Sequence, residues 1–380
     1  MSETVAAAEL PILIIGAGIA GLAAAAALGA KGFRIELVEK RPEISDGGGI
    51  GLTIVGNAMR ALDAIGIARA CVDAGIPADS MAMCNPRGEL LFDNPLPRIG
   101  GEQWPGATGI TRAAFHALLS EAARKVASIR CGVTADSWNE TADAIVVRFS
   151  DDREGTYRLV VAADGIYSST RSTLFPESKP EPTGQAVWRA EVRRPADVRR
   201  THLFLGGPQG VVGLCPVSED RAYLYIVQEA EAGAWRDPAT LDAQMRTALE
   251  GYGGVVAELA RQLTDPEKIS YRPIEAILAP RPWGAGRIVM IGDAVHSNPP
   301  VLAQGAAMGI EDAVVLAEEL AASPDSVSAA LERFIDRRYD RAAFVVETSC
   351  QLAKWEVEHA RDVDIPGVMR ASAQRLAQPI

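Results

Sequence analysis

Histidine, cysteine and an excess of positive charge are what this sequence has least of. Four histidines and five cysteines occur in 380 residues, and the cysteines (Cys71, Cys84, Cys131, Cys215, Cys350) are scattered, with no CxxC pair and no metal-like spacing to a histidine. That pattern argues against a zinc ribbon, a redox dithiol or a disulfide framework and fits a reducing, cytoplasmic setting. Cysteines so placed are usually small buried hydrophobes, and no metal site is expected. The formal net charge is −11 with no concentration of basic residues, which argues against a nucleic-acid partner, because phosphate binding needs a basic face. The acidity serves solubility instead.

What is present is the composition of a globular chain, 48% hydrophobic and 23% charged, long enough for two domains or for one carrying an insertion. The stretch Leu10–Ala30 is apolar enough to suggest a membrane span or a signal peptide. However, Glu3 and Glu9 rather than basic residues precede it, and Pro11, Gly16, Gly18 and Gly21 interrupt it at a meaningful spacing. A strand, a tight turn and a helix are expected there, with no membrane partner.

Residues 11–15 read as a buried strand, 19–30 as an alanine-rich helix and 34–38 as a second strand, a βαβ unit in about 30 residues. Helical spacing marks 57–65 and 112–126, and strands are expected near 129–134, 144–149 and 157–163. From about 182 to 227 short apolar runs alternate with turn residues, the pattern of a mostly antiparallel sheet, entered at Pro180-Glu181-Pro182 and left at Arg272-Pro273. Residues 77–101 are expected to add a hairpin to it. After 286 the α/β pattern returns, with a strand at 287–291, a helix at 305–322 and a long amphipathic helix at 327–360. The expected organisation is an α/β Rossmann-like domain formed by 1–76, 102–181 and 273–349, interrupted by a substrate-binding sheet formed by 77–101 and 182–272. A helical tail at 350–380 follows.

Three motifs carry chemistry. Gly16-Ala17-Gly18-Ile19-Ala20-Gly21 is GxGxxG at a strand-to-helix junction, where the glycines permit the turn and the approach of a pyrophosphate to the helix N-terminus. Glu39 ends the second strand, where a carboxylate accepts hydrogen bonds from a ribose diol, with Lys40 and Arg41 beside it for phosphates. Asp164-Gly165 follows the strand that ends at Ala163 and leads through a Ser/Thr cluster to Arg171. Gly292-Asp293 follows a further strand and leads to Pro299-Pro300 and Gln304-Gly305; an aspartate so placed can hold a ribose or ribityl hydroxyl. The free amides of Gly305, Ala306 and Ala307 at a helix start suit an electron-rich carbonyl such as that of an isoalloxazine.

In this order and spacing the motifs resemble those of the single-component FAD-dependent aromatic hydroxylases with the p-hydroxybenzoate hydroxylase fold. The stretch from Ala303 to Ala313 is close to the salicylate-hydroxylase-like branch. The resemblance spans residues 11 to about 345. It implies a glutathione-reductase-type FAD domain and assigns Arg112, after Thr111, to the FAD phosphates and Val133 to the same cofactor site. It also implies a reaction in which NADH or NADPH reduces FAD, O2 adds at C4a, and the hydroperoxide hydroxylates an electron-rich aromatic or N-heteroaromatic ring, phenolic or carboxylated. Pro300 matches the proline whose carbonyl faces the reacting flavin edge.

For the substrate, Tyr223 and Tyr225 lie two apart on an expected strand and so share a face; a phenol there can hydrogen-bond a substrate hydroxyl, or the pair can simply pack. Arg189 can pair with an anionic substrate, and Trp188 beside it reads as structural. Tyr223 stands where related urate hydroxylases have a tyrosine. Val211 stands where their arginine would be, which argues against urate. His296 reads as support for its loop, while His116, His202 and His359 are given no role. The glycine-rich segment Gly47–Gly51 suggests a mobile element beside the flavin, or an ordinary surface turn. Alternatives remain: a flavin-dependent halogenase, whose Trp-x-Trp-x-Ile-Pro segment is not found; an epoxidase; or a catalytically inactive binding protein of the same fold. A homodimer is a further possibility.

Overall fold

The computed structural model describes residues 9–45 and 49–380; Gly47 and Gly48 of the glycine-rich segment lie outside that range. The apolar N-terminal stretch divides as the glycine spacing requires, into a buried strand Ile12–Ile15 and a helix Ile19–Ala30. The strand runs parallel to Ile35–Glu39 on one side and to Leu159–Ala162 on the other. Ala127–Cys131 and Ile288–Met290 extend the parallel sheet at either end. Ile12, Leu13 and Ile14 are each no more than 1% exposed, as expected for a sheet covered on both faces. One face carries the Ile19–Ala30, Arg112–Arg124 and Gly305–Ala322 helices in the largest core cluster; the other packs against a three-stranded antiparallel sheet of residues 135–157. Among the described residues no helix is long and apolar enough to cross a membrane.

The second sheet has seven strands, ordered Ile269–Ala276, Glu181–Arg193, Arg221–Glu229, Val211–Pro216, His202–Phe204, Ser80–Cys84 and Leu90–Pro95. The 77–101 segment does supply its hairpin. The sheet is antiparallel except where His202–Phe204 runs parallel to Ala82–Cys84. Two features differ from the sequence expectation. Arg272-Pro273 is not an exit, because the strand continues to Ala276 with Pro273 opposite Ala186 at an irregular register, and proline is tolerated on an edge strand. A fourth, small sheet of Gly51–Val55, Ala107–Thr111 and Ile76–Ala78 joins the two larger ones; strands of three to five residues give little periodicity to read. At the C-terminal end, the helix Val327–Val357 passes unbroken through 349/350, and Ile365–Ala377 folds back onto it and onto Gly56–Ala64.

Candidate functional site

The glycine-rich loop is shaped by one residue above all. Gly16 has φ 103°, and a Cβ there would lie 2.5 Å from the Ala163 carbonyl oxygen, so conformation and space both require glycine. Gly18, the N-cap of the Ile19–Ala30 helix, has no side-chain cap, and a Cβ on it would meet nothing within 4 Å. Its backbone therefore borders open space at a positive helix end. The Glu39 carboxylate accepts from the Ala17 amide (2.8 Å) and the Arg41 amide (3.0 Å), which ties the end of the second strand to the loop. Lys40 and Arg41 are exposed beside it, and the Val133 amide donates to the Glu39 carbonyl at 3.0 Å. On the other side of the loop His116 Nε2 lies 2.9 Å from the Ala17 carbonyl in a buried position. No sequence pattern links a lone histidine to a loop about a hundred residues away.

The C-terminal motif reaches this loop through small residues. Gly292 (φ 62°, ψ −143°) and Gly309 both face Ala20, where added Cβ atoms would lie 2.8 and 3.0 Å from the Ala20 Cβ. The Gly305–Ala322 helix thus crosses the Ile19–Ala30 helix closely, and Asp293 is brought to the start of the glycine loop's helix. Asp293 is open to solvent yet closely walled by protein. That packing raises its pKa above the ordinary value, against the pull of His296 and Arg112. Arg112 opens its own helix after the Thr111 cap, is half-buried, and lies against Gly49.

Two residues are more occupied than their motifs suggest. The Arg171 guanidinium donates to the carbonyls of Ala294 (2.6 Å), Ile166 (2.6 Å) and Ser178 (3.1 Å), and the residue is 2% exposed. It braces the Asp164 loop against the Asp293 turn, with its donors committed to carbonyls. The Pro300 carbonyl accepts from Ala303 at 2.9 Å in a single 3-10 turn, which ends with Ala303 in the left-handed region (φ 54°). Gln304 follows, and the amides of Gly305, Ala306 and Ala307 open the long helix without a side-chain cap. Two buried acceptors of these loops, Asp164 Oδ1 and Asn298 Oδ1, have no partner among the described residues. Buried oxygens of this kind are normally satisfied, and the hydroxyls of a ribose or ribityl chain are suitable donors.

The sheet supplies a different chemistry. Tyr223 and Tyr225 do share a face, their rings stacked at 5.4 Å, and Arg189 stands in register opposite Tyr225. Tyr225 leans over Gly213, where a side chain would collide with its ring, and Tyr223 lies against Gly51. Thr53 and Cys215 (3.5 Å apart) flank Tyr223; no sequence pattern signals this, because Gly51 and Thr53 come from the small joining sheet. Burial, with Cys215 and Tyr225 nearby, pushes the Tyr223 phenol well above its ordinary range, and burial does the same for Tyr225. Both remain protonated donors at neutral pH. Arg189 is half-buried, with no ion-pair or hydrogen-bond partner among the described residues. Burial lowers its pKa, and the neighbouring Arg112 and Arg272 add to that. Val211 sits two residues before Gly213, opposite Val227, and Trp188 is in the core of the other face with its Nε1 on Gln228 Oε1 (3.1 Å).

A parallel-sheet dinucleotide fold, a glycine loop with Glu39, and Asp293 returned to that loop define a flavin-binding α/β protein. Residues 9–349 match the family model described as FAD binding domain. The chain belongs to that family, and FAD is its cofactor. It is 30% identical over 97% of its length to 2-heptyl-3-hydroxy-4(1H)-quinolone synthase of Pseudomonas aeruginosa, covering 97% of that protein. It is also 30% identical to 6-hydroxynicotinate 3-monooxygenase of Bordetella bronchiseptica, over 89% of this chain and 90% of the relative. Among solved structures it is similar to Klebsiella pneumoniae HpxO complexed with FAD and uric acid, with a TM-score of 0.82 and 25% identity, over 97% of this chain and 92% of that one.

Proposed function

We propose that the protein is an FAD-dependent monooxygenase that uses NADH or NADPH and O2 to hydroxylate a small aromatic or N-heteroaromatic compound bearing a phenolic or carboxylate group. The observation that supports this reading is the close approach of Gly292 and Gly309 to Ala20, with the Asp293 motif beginning at Gly292 beside the helix that follows the glycine loop. Bound FAD would supply the redox chemistry. Gly16, Gly18, Ile19, Ala20 and Gly21, with Glu39, Lys40, Arg41 and Val133, hold its adenosine diphosphate half, and Arg112 adds positive charge for the phosphates. Asp164 and Asp293 accept from its hydroxyls, Arg171 braces the two loops that carry them, and the amides at 305–307 face its carbonyl-bearing edge. Pro300 holds the turn that ends there.

On the substrate side, the ring lies against Tyr223 and Tyr225. Tyr223 donates a hydrogen bond to a substrate oxygen and so favours its ionised, electron-rich form, and Arg189 receives an anionic substituent. The half-buried guanidinium, without a partner among the described residues, supports this, because burying a cation without an anion is costly and a ligand carboxylate removes that cost. Val211 leaves this wall apolar. We further infer a cytoplasmic protein that forms a homodimer. The test is NAD(P)H consumption by the yellow protein against a panel of phenolic and heteroaromatic acids, with labelled O2. One labelled oxygen atom incorporated into the ring is the expected result. Halide-dependent products, or no stimulation by any ring compound, would refute it.

A further inference from the structure

Behind the flavin groove lies a group of charges that the reaction itself does not use. Glu311 and Asp312, adjacent on the Gly305–Ala322 helix, are both 0% exposed in an otherwise apolar stretch. Each meets an arginine of the Val327–Val357 helix. Arg338, also fully buried, donates to Asp312 Oδ1 (2.8 Å), Glu311 Oε2 (2.7 Å) and the Met308 carbonyl (3.2 Å). Arg341 forks onto both oxygens of Glu311, at 2.8 and 2.9 Å, and onto the Leu376 carbonyl at 2.8 Å. Burial alone would push both carboxyls up. For Glu311 the two arginines outweigh it, and for Asp312 His296 and Arg338 do, so both acids are held below the ordinary carboxylate range.

The remaining bonds of the two acids point in different directions. Asp312 Oδ2 accepts from the Gly292 amide (2.9 Å) and lies 2.6 Å from His296 Nε2, so it holds both ends of the turn that presents Asp293. Glu311 Oε1 accepts from Asn57 Nδ2 (3.0 Å), and Asn57 exchanges two hydrogen bonds with Gln304 (2.9 and 3.1 Å), the residue immediately before the free amides at 305–307. We propose that Glu311 and Asp312 are positioning residues that divide the flavin groove between them: Asp312 sets the Asp293 turn, and Glu311, through Asn57 and Gln304, sets the helix start. A carboxylate whose lone pairs are shared between an arginine fork and a loop fixes that loop's position, as outer-shell partners do around ligand sites generally. This rests on the FAD site proposed above.

The test separates the two halves by separate readouts on the full chain. Asp312→Asn keeps the shape and removes the charge. It is expected to raise the Kd for FAD about tenfold or more, read by flavin fluorescence quenching on titrating apoprotein, with the visible spectrum of bound flavin unchanged. Asn57→Ala detaches Gln304 from Glu311, and is expected to shift the visible band of bound flavin while leaving the Kd near the parent's, because the amides at 305–307 face the ring rather than the phosphates. If Asp312→Asn does not fold, His296→Phe, which keeps a ring beside Trp283 and loses the bond to Asp312, takes its place with the same expectation. Lower melting temperatures with neither Kd nor band moved would mean that the acids only hold helices together and would overturn the proposal, as would the crossed result. A parent chain that binds no FAD fails differently, because it removes the proposed function itself.

Discussion

The proposed FAD groove and the proposed substrate sheet use the chain in opposite ways. The groove is lined largely by backbone: amides at two helix starts and turns that only glycine can make, with single carboxylates at strand ends. The sheet presents side chains, and each working side chain has neighbours from distant strands. Tyr223 is shaped by Gly51, Thr53 and Cys215, and Arg189 by Tyr225 across one strand and by Arg112 at the start of its helix. A cofactor that many proteins share is held by local geometry, whereas a substrate particular to one protein is held by tertiary coincidence. Substitutions should therefore separate the two regions cleanly.

The largest effect is expected in the groove. Gly16→Val forces a β-branched residue to φ 103° and places its Cβ 2.5 Å from the Ala163 carbonyl oxygen. It should yield protein without bound FAD, read as loss of the flavin absorbance in the purified sample. Retention of stoichiometric FAD would break the distinction drawn here, since the loop would then not set the site. In the sheet, Arg189→Met should raise KM for an anionic ring substrate by about 10–100-fold, the worth of a charge-assisted hydrogen bond. FAD content should be unaltered, and neutral substrate analogues should be little changed. An equal loss for neutral and anionic rings would remove Arg189 from substrate recognition.

These two positions also mark how far the sequence could be read. Gly16 was legible because its motif is contiguous and flanked by the strand and helix that give it meaning, and the 305–322 helix was legible to the residue. Arg189 could be placed on a strand, but its lack of an acidic partner among the described residues depends on which side chains three other segments bring near. Glu311 and Asp312 went unread for the same reason. Two adjacent acids in an apolar helix are a signal, but their partners Arg338, Arg341, Asn57 and His296 come from three separate elements. His116 gave no signal at all. The small joining sheet escaped because short strands carry too little periodicity.

A smaller effect is expected for Tyr223→Phe. It removes one hydrogen bond to the substrate oxygen and should lower kcat by about tenfold or less. Because the phenol is held protonated well above its ordinary pKa, it titrates outside the working range. The pH–rate profile of the variant should therefore keep the parent's shape at lower height. Loss of an alkaline limb on substitution would show instead that Tyr223 ionises during turnover.

The smallest effect concerns stability, and its sign differs between the two regions. Asp312 has a folded-state pKa below its unfolded value of about 3.9. Its contribution is complete above that unfolded value and is lost as pH falls through the folded one. Tyr223 and Tyr225 have folded-state pKa values above the unfolded value of about 10. Above that pH the unfolded chain releases protons that the folded chain retains, so stability falls as pH rises. Acid therefore weakens the groove's frame and alkali weakens the sheet. Replacing both tyrosines by phenylalanine should leave the acid limb of a melting-temperature profile unchanged. Above about pH 10 it should flatten the alkaline limb by about a degree, the scale of about 1 kcal/mol in a chain of this size. If the double variant moved the acid limb instead, the two regions would not be titrating independently, and the buried carboxylates would have to be sensing the sheet.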